Sequence, residues 1–171
     1  GRTLRDLQKE QIIFCVAQGM DAVKIGNAVT YTHMGKLCIG VPGEKGRKTE
    51  QLERVASLFS AISLPYVMED DILHRIWSKW MLNVGVNQVV MVEEGTYGTV
   101  QVPGNARDMM KAAMREVILI AECEGIDVSE RELADYVARI DTLNPDGMPS
   151  MRQDGLAKRF YEVDLFAGNV R

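Results

Sequence analysis

Asp70-Asp-Ile-Leu-His-Arg-Ile-Trp-Ser-Lys-Trp-Met-Leu-Asn-Val-Gly-Val-Asn-Gln-Val-Val90 decides the fold of this chain. The stretch has the period of a helix that is apolar over most of its surface. At about 100° per residue, a four-residue step turns the direction by only ~40°. Lys79, Asn83 and Asn87 therefore form one polar stripe roughly 12 Å long. Ile72 and Ile76 project into the same sector one and two turns earlier, and Leu73, Trp77, Trp80 and Val84 fill the neighbouring one. Asp71, Arg75 and Ser78 fall on the other side and read as the solvent face. The stripe is thus expected to point inward, where each unpaired amide or ammonium costs about a few kcal/mol. Something polar has to meet it.

Outside this helix the composition narrows the options. The 171 residues suffice for a proper core, either one domain or a small domain with a piece of another. Hydrophobic residues at 46% and charged residues at 26% are ordinary globular values. The net charge of −4 is spread along the chain with no basic block, which argues against nucleic acid as a partner. The apolar runs fall short of the ~20 residues that span a bilayer, and Gly1-Arg-Thr-Leu-Arg-Asp6 does not read as a signal peptide, so no membrane partner is expected. Cys15, Cys38 and Cys123 are odd in number and scattered, and His33 and His74 are isolated. That pattern predicts neither a structural zinc site nor a disulfide framework, and suits reduced thiols in the cytoplasm. Two histidines leave little room for a Ser-His-Asp or Cys-His site.

The character of the chain changes near residue 69. Before it, segments are short and mixed. Leu4–Glu10 reads as the last turns of a helix and Gln11–Ala17 as a buried strand. Asn27–Thr32 and Lys36–Ile39, separated by His33-Met-Gly35, read as a β-hairpin. Gly40–Lys48 is a loop; Thr49 caps a helix over Glu50–Ile62, with Leu52, Val55, Ala56 and Phe59 on one face; Pro65–Met68 is a last strand. After residue 69 everything is helical in period. A loop marked by Gly95, Gly98, Pro103 and Gly104 precedes a helix over Ala106–Glu124, stopped by Gly125. Ser129-Glu-Arg-Glu132 has the form of a capping box and opens a helix to about Leu143. Asn144-Pro-Asp-Gly-Met-Pro149 is a break. Ser150-Met-Arg-Gln153 again has the capping-box form, and a fifth element covers Glu162–Val170.

Three features could carry chemistry. Gly40-x-x-Gly43-x-x-Gly46-Arg-Lys-Thr49 has the flavour of a phosphate loop, yet no Gly-x-x-x-x-Gly-Lys-[Ser/Thr] register fits it, and a solvated loop is the simpler reading. The polar stripe admits two readings. Lys79 could reach solvent while Asn83 and Asn87 bond neighbouring backbone. Alternatively the helix lines a cleft, where a lysine beside a carbonyl stabilises developing alkoxide charge and then protonates it. The third feature is Pro149-Ser-Met-Arg-Gln-Asp154 with Glu162. Structurally these are a helix cap and a surface acid; functionally, a Ser-capped helix start offers backbone N–H groups to an anion such as a carboxylate.

Taken in order, Trp77-x-Lys79-x-x-x-Asn83-x-x-x-Asn87, some sixty helical residues, Ser150-Met-x-Gln-Asp154 and Glu162-x-Asp164 resemble the C-terminal domain of the ketopantoate reductase (2-dehydropantoate 2-reductase) family over about residues 70 to 171. Residues 12 to 68 resemble the end of that family's nucleotide-binding domain. The resemblance implies NADPH-dependent reduction of a 2-keto acid, ketopantoate, to a 2-hydroxy acid on the way to pantothenate. It implies Lys79 as general acid at the keto oxygen, Asn83 and Asn87 on substrate oxygens, Ser150 at the carboxylate, and Glu162 at the cofactor's ribose–nicotinamide end.

Two departures from the family pattern matter. The Gly-x-Gly-x-x-Gly turn that grips a pyrophosphate is missing from these residues, so the chain is expected to bind NADPH poorly and to be inactive by itself. The family's further substrate-side asparagine, in the loop after the stripe, has no counterpart in Glu93-Glu-Gly-Thr-Tyr97, which opens the way to a different 2-keto acid. The expected fold is α+β by content: residues 1–69 as a remnant of a Rossmann-like nucleotide-binding domain, and residues 70–171 as an all-helical domain like the C-terminal domain of 6-phosphogluconate dehydrogenase. The expected partner is a second copy, since an uncovered sheet edge or apolar helix face seeks one. The alternatives are a non-enzymatic helical dimerisation module, and a hydroxyacid dehydrogenase of the 6-phosphogluconate type, for whose phosphate Arg152 is the candidate cation.

Overall fold

The computed structural model describes residues 12–43, 45–160, 163–166 and 168. The expected helix end at Leu4–Glu10 and the candidate acid Glu162 lie outside the described residues. The chain forms two compact units, Gly1–Ile76 and Trp77–Arg171.

The first unit is built on a three-stranded mixed sheet of β1 (Phe14–Gln18), β4 (Lys36–Gly40) and β5 (Tyr66–Met68), in the order β1-β4-β5. The central strand β4 pairs antiparallel with β1, Val16 opposite Cys38, and parallel with β5, Cys38 opposite Val67. A parallel neighbour requires a crossover, and α1 (Glu50–Ala61) supplies it. Thr49 starts that helix by accepting the Leu52 N–H at 3.2 Å, and Leu52 and Ala56 bury against Ile39. Gly40 is needed where β4 meets the start of α2, because a Cβ there would lie 2.7 Å from the Ile72 Cβ.

The expected hairpin of Asn27–Thr32 with Lys36–Ile39 does not form. Instead β3 (Ala28–Thr30) turns back on β2 (Val23–Ile25), a strand the sequence reading missed. The reason is local: Gly26, at φ +59°, and Asn27 make a two-residue turn, whereas β4 is buried and needs neighbours on both sides. The base of this small ribbon is tied by Asp21, whose carboxylate accepts from the Thr32 N–H at 2.9 Å, the His33 N–H at 2.7 Å and the Thr32 hydroxyl.

The second unit is helical. It comprises the greater part of α2 (Ile72–Val92), then α3 (Tyr97–Gln101), α4 (Asn105–Cys123), α5 (Glu130–Ile140), α6 (Ser150–Leu156) and α7 (Val163–Phe166). Its core gathers Met81, Val84 and Val90 of α2 with Met110, Met114 and Val117 of α4 and Leu133, Val137 and Ile140 of α5. Gly85 lets α2 and α4 approach closely, since a Cβ there would lie 3.0 Å from Met114 Sδ and 3.1 Å from the Met110 carbonyl oxygen. The loop expected over residues 95–104 contains α3, whose Thr96 and Thr99 form a capping box. Gln101 of α3 closes the end of α5 by donating to the Ile140 and Leu143 carbonyls at 2.8 and 2.9 Å. The fold class is α+β, a short mixed sheet followed by a helical array. Among the described residues no helix is long and apolar enough to cross a membrane.

Candidate functional site

A helix inside a bundle has neighbours on more than one side, and α2 is such a helix. From Trp77 to Val90 none of its residues is fully exposed. The side expected to be wet is covered: Ser78 is only 1% exposed. This corrects the reading of Ser78 as a solvent residue. The cause is α5, whose Glu132 and Tyr136 reach the Ser78 hydroxyl at 3.0 and 3.2 Å.

The stripe is also turned inward. Lys79 and Asn83 are half-buried, and Asn87 is 5% exposed. Lys79 has a partner of its own. Among the described residues no hydrogen bond takes up the side chains of Asn83 or Asn87, although Gln88, one residue on, folds back to the Val84 carbonyl at 3.0 Å. A carboxamide offers two donors and an acceptor. Among the described residues the one fully buried side-chain polar atom without a partner is Arg152 Nε, so the carboxamide atoms of the stripe are not sealed in the core. The stripe therefore presents a cation and two neutral hydrogen-bonding groups, spaced ~6 Å apart per helical step, with capacity left for a polar molecule.

Ser150 lies elsewhere in the same unit. The loop before it is anchored to α3 by two backbone bonds, Tyr97 N–H to the Gly147 carbonyl at 2.9 Å and Gly98 N–H to the Pro145 carbonyl at 2.8 Å. α6 then packs on α2: Met151 joins the common core, and a Cβ on Gly155 would lie 2.5 Å from Met91 Cε. The expected capping box of Ser150 and Gln153 is absent. The helix begins one residue earlier than anticipated, with extended Pro149 at the cap and no side-chain cap bond. Ser150 is already inside the first turn and exposed, and Gln153 donates instead to the Met148 carbonyl at 2.9 Å. Arg152 of the same helix donates to the Glu94 carbonyl at 2.9 Å.

Two features elsewhere bear on a nucleotide. The glycine-rich loop after β4 does not form a phosphate cradle. Gly40 is pressed against Ile72, and the Gly46 N–H is engaged by the Asp70 carbonyl at 2.8 Å. A shallow hollow of about 750 Å³ in the first unit, lined by Lys48, Glu53, Ser57, Ser60, Tyr66 and Met68 among others, shares no residue with the stripe. The described residues therefore do not fit the pyrophosphate of a dinucleotide.

Two residues the sequence reading passed over hold the unit together. Arg107, near the start of α4, donates to both carboxylate oxygens of Asp141 at 2.6 and 2.7 Å and to the Val100 carbonyl at 2.8 Å. The guanidinium keeps the Asp141 carboxyl below the usual carboxylate range. No periodicity signals this pair, because its partners are 34 residues apart.

Residues 71–171 match the family described as ketopantoate reductase PanE/ApbA C terminal. The chain is 25% identical over 118 residues to a 2-dehydropantoate 2-reductase of Streptococcus pyogenes, covering 68% of this chain and 38% of that protein. It is 26% identical over 127 residues to the enzyme of the same name from Halobacterium salinarum, covering 74% and 41%. Among solved structures, a dimeric ketopantoate reductase from Staphylococcus aureus superposes with a TM-score of 0.79 at 20% identity, covering 91% of this chain and 52% of that one. A D-mandelate dehydrogenase solved with NADH superposes with a TM-score of 0.80 at 20% identity, covering 97% and 56%. At such identities the structural likeness speaks for the fold alone. The chain spans about 40% of the length of these two curated relatives.

Proposed function

Since this chain belongs to the ketopantoate reductase PanE/ApbA family through its C-terminal region, we propose that it is the substrate-binding and catalytic part of a nicotinamide-dependent 2-keto acid reductase, with ketopantoate as the leading substrate and NADPH as the leading cofactor. The observation that carries this reading is the stripe on α2. Asn87 is 95% buried with no hydrogen-bond partner among the described residues, on the same helix face as Lys79 and Asn83.

In this reading the domains divide near residue 69, and residues 70–171 supply the substrate side. Lys79 stands at the keto oxygen. As hydride reaches the carbonyl carbon, negative charge grows on that oxygen, and the ammonium stabilises it and then transfers its proton. Asn83 and Asn87 hold substrate oxygens, each carboxamide able to donate to one atom and accept from another. Ser150 offers its hydroxyl to the carboxylate end, and Glu162 is assigned to the cofactor's ribose–nicotinamide end by resemblance. None of the described residues forms a phosphate cradle. The dimeric S. aureus relative supports a homodimer here, and the reading places the protein in the cytoplasm.

The test is NADPH oxidation in a polypeptide joining this chain to a Gly-x-Gly-x-x-Gly nucleotide-binding half. Lys79→Ala is expected to lower kcat on the order of 10²-fold or more, the scale of a lost general acid. Turnover untouched by that change would favour a non-enzymatic dimerisation module. Likeness to D-mandelate dehydrogenase, with the asparagine missing after the stripe, keeps a second substrate in play. A panel containing ketopantoate, 2-oxoisovalerate and phenylglyoxylate decides between them by kcat/KM.

A further inference from the structure

Lys79 is aimed by the rotation of α2 about its own axis, which the close approach of Gly85 to Met114 restricts on the α4 side by shape alone. The residue before it carries a directional contact. The Ser78 hydroxyl lies 3.0 Å from Glu132 Oε1 and 3.2 Å from the Tyr136 hydroxyl. A serine has one proton to give. Ser78 Oγ can direct it to the Glu132 carboxylate or to the Tyr136 oxygen, and the three side chains meet at this one hydroxyl. The other oxygen of Glu132 accepts the Ser129 N–H at 3.1 Å, completing the cap of α5. One carboxylate thus starts one helix and grips another.

The grip lies opposite the stripe. Ser78 and Asn83 are five residues apart, so their directions differ by ~140°. A turn of α2 by ~20° would carry a group ~6 Å from its axis by about 2 Å, and misplacement on that scale costs catalysis heavily. Burial strengthens the contact: Ser78 is 1% and Tyr136 8% exposed, and a rotation that broke it would strand polar groups in the core.

We propose that Ser78, Glu132 and Tyr136 form a positioning clamp that fixes the rotation of α2 and so aims Lys79, Asn83 and Asn87. The assignment rests on the reductase reading only for what the stripe binds; the clamp itself is a matter of geometry. Nuclear magnetic resonance of the 171-residue chain reads it directly, through the Asn83 and Asn87 carboxamides and the Lys79 side chain. Ser78→Ala and Tyr136→Phe are expected to shift these stripe signals, and Ser78→Thr, which keeps a hydroxyl, to return them towards wild type. Tyr136→Phe keeps the ring in place and covers the case in which Ser78→Ala does not fold. Stripe signals that stay put in folded Tyr136→Phe, while the melting temperature falls, would overturn the clamp and leave a contact that adds stability only. In the cofactor-linked assay the clamp predicts a kcat loss of about tenfold or more for both removals at little changed NADPH KM. Lys79→Ala without effect would sink the reductase reading and leave the resonance result to judge the clamp. Lys79→Ala inactive beside a fully active Tyr136→Phe would sink the clamp and leave the reading.

Discussion

The two units make opposite use of similar lengths of chain. Among the described residues the helical unit buries seventeen core side chains in one cluster, whereas the sheet unit buries five hydrophobic side chains, Cys38, Ile39, Leu52, Ala56 and Ile72. Both units leave apolar side chains in solvent, Val29 and Tyr31 at 57% exposed in the sheet unit and Leu119 at 63% and Val92 at 71% in the helical one, so the contrast lies in what is buried. A helix satisfies its own backbone and needs only one covered face, so a few helices close a core. A strand needs partners on both edges and cover on both faces, and three strands with one helix cannot supply them. The helical unit should accordingly carry most of the stability, and substitutions in it should have the largest consequences.

The strongest way to break that asymmetry is at Gly85. An alanine methyl there would overlap Met114 Cγ and crowd the Met110 carbonyl oxygen. Met114 is wholly buried and has nowhere to retreat. Alanine ordinarily favours a helix over glycine by about 1 kcal/mol, so a net loss would be attributable to the crossing of α2 and α4. Gly85→Ala is expected to destabilise the helical unit by roughly 2 kcal/mol, the scale of overpacking a tight core. Urea unfolding followed by circular dichroism would measure it, and a neutral or stabilising result would mean that the two helices are not in close contact.

That contrast also marks what could be read from the residues alone. The helices α2, α4 and α5 were legible because their signals are local: a 3.6-residue period, Ser129 with Glu132 at a start, Gly125 at an end. The family was legible for the same reason, its ordered residues recurring at helical spacing on α2 and again along α6. The pairing of β3 was not, since Lys36–Gly40 alternates no differently whether its neighbour is β3 or β1, and only burial on both edges decides. Ser78 was misplaced because a polar residue opposite an apolar face suggests solvent, and nothing near it in sequence announces Glu132, 54 residues away. At Ser150 the motif was present, but the fold set the helix start one residue earlier. Glu162 lies outside the described residues, so its part in the site stands as an inference from resemblance.

A smaller effect, confined to the helical unit, concerns Arg107 and Asp141. The pair ties the start of α4 to the residue that ends α5. Because Arg107 depresses the Asp141 carboxyl, the folded chain binds that proton less readily than the unfolded chain. The stabilisation is complete above the ordinary carboxylate value of about 3.9 and is lost as the pH falls through the lower folded value. The Asp141 side chain is 38% exposed, so solvent screens the pair, and Asp141→Asn should cost about 1 kcal/mol at neutral pH. The difference in melting temperature between wild type and variant should shrink below about pH 4 and in high salt. A difference that persisted unchanged at pH 2.5 would mean that the charge of the aspartate is not what holds the helices.

The smallest effect separates the units again, through their helix caps. Thr49 satisfies the Leu52 N–H of α1 by itself. Ser129 shares its task with Glu132, each side chain bonding the backbone of the other, and Glu132 also holds Ser78. Removing a lone cap by Thr49→Ala should cost about 1 kcal/mol and should loosen only the sheet unit, raising amide exchange along α1 while leaving α4 and α5 unchanged. Ser129→Ala should cost no more at the helix start, because the Glu132 carboxylate still accepts the residue-129 N–H and remains anchored by Ser78. If exchange in α4 and α5 rose with Thr49→Ala as strongly as in α1, the chain would be opening as one cooperative body, and the division of stability between the two units would be wrong.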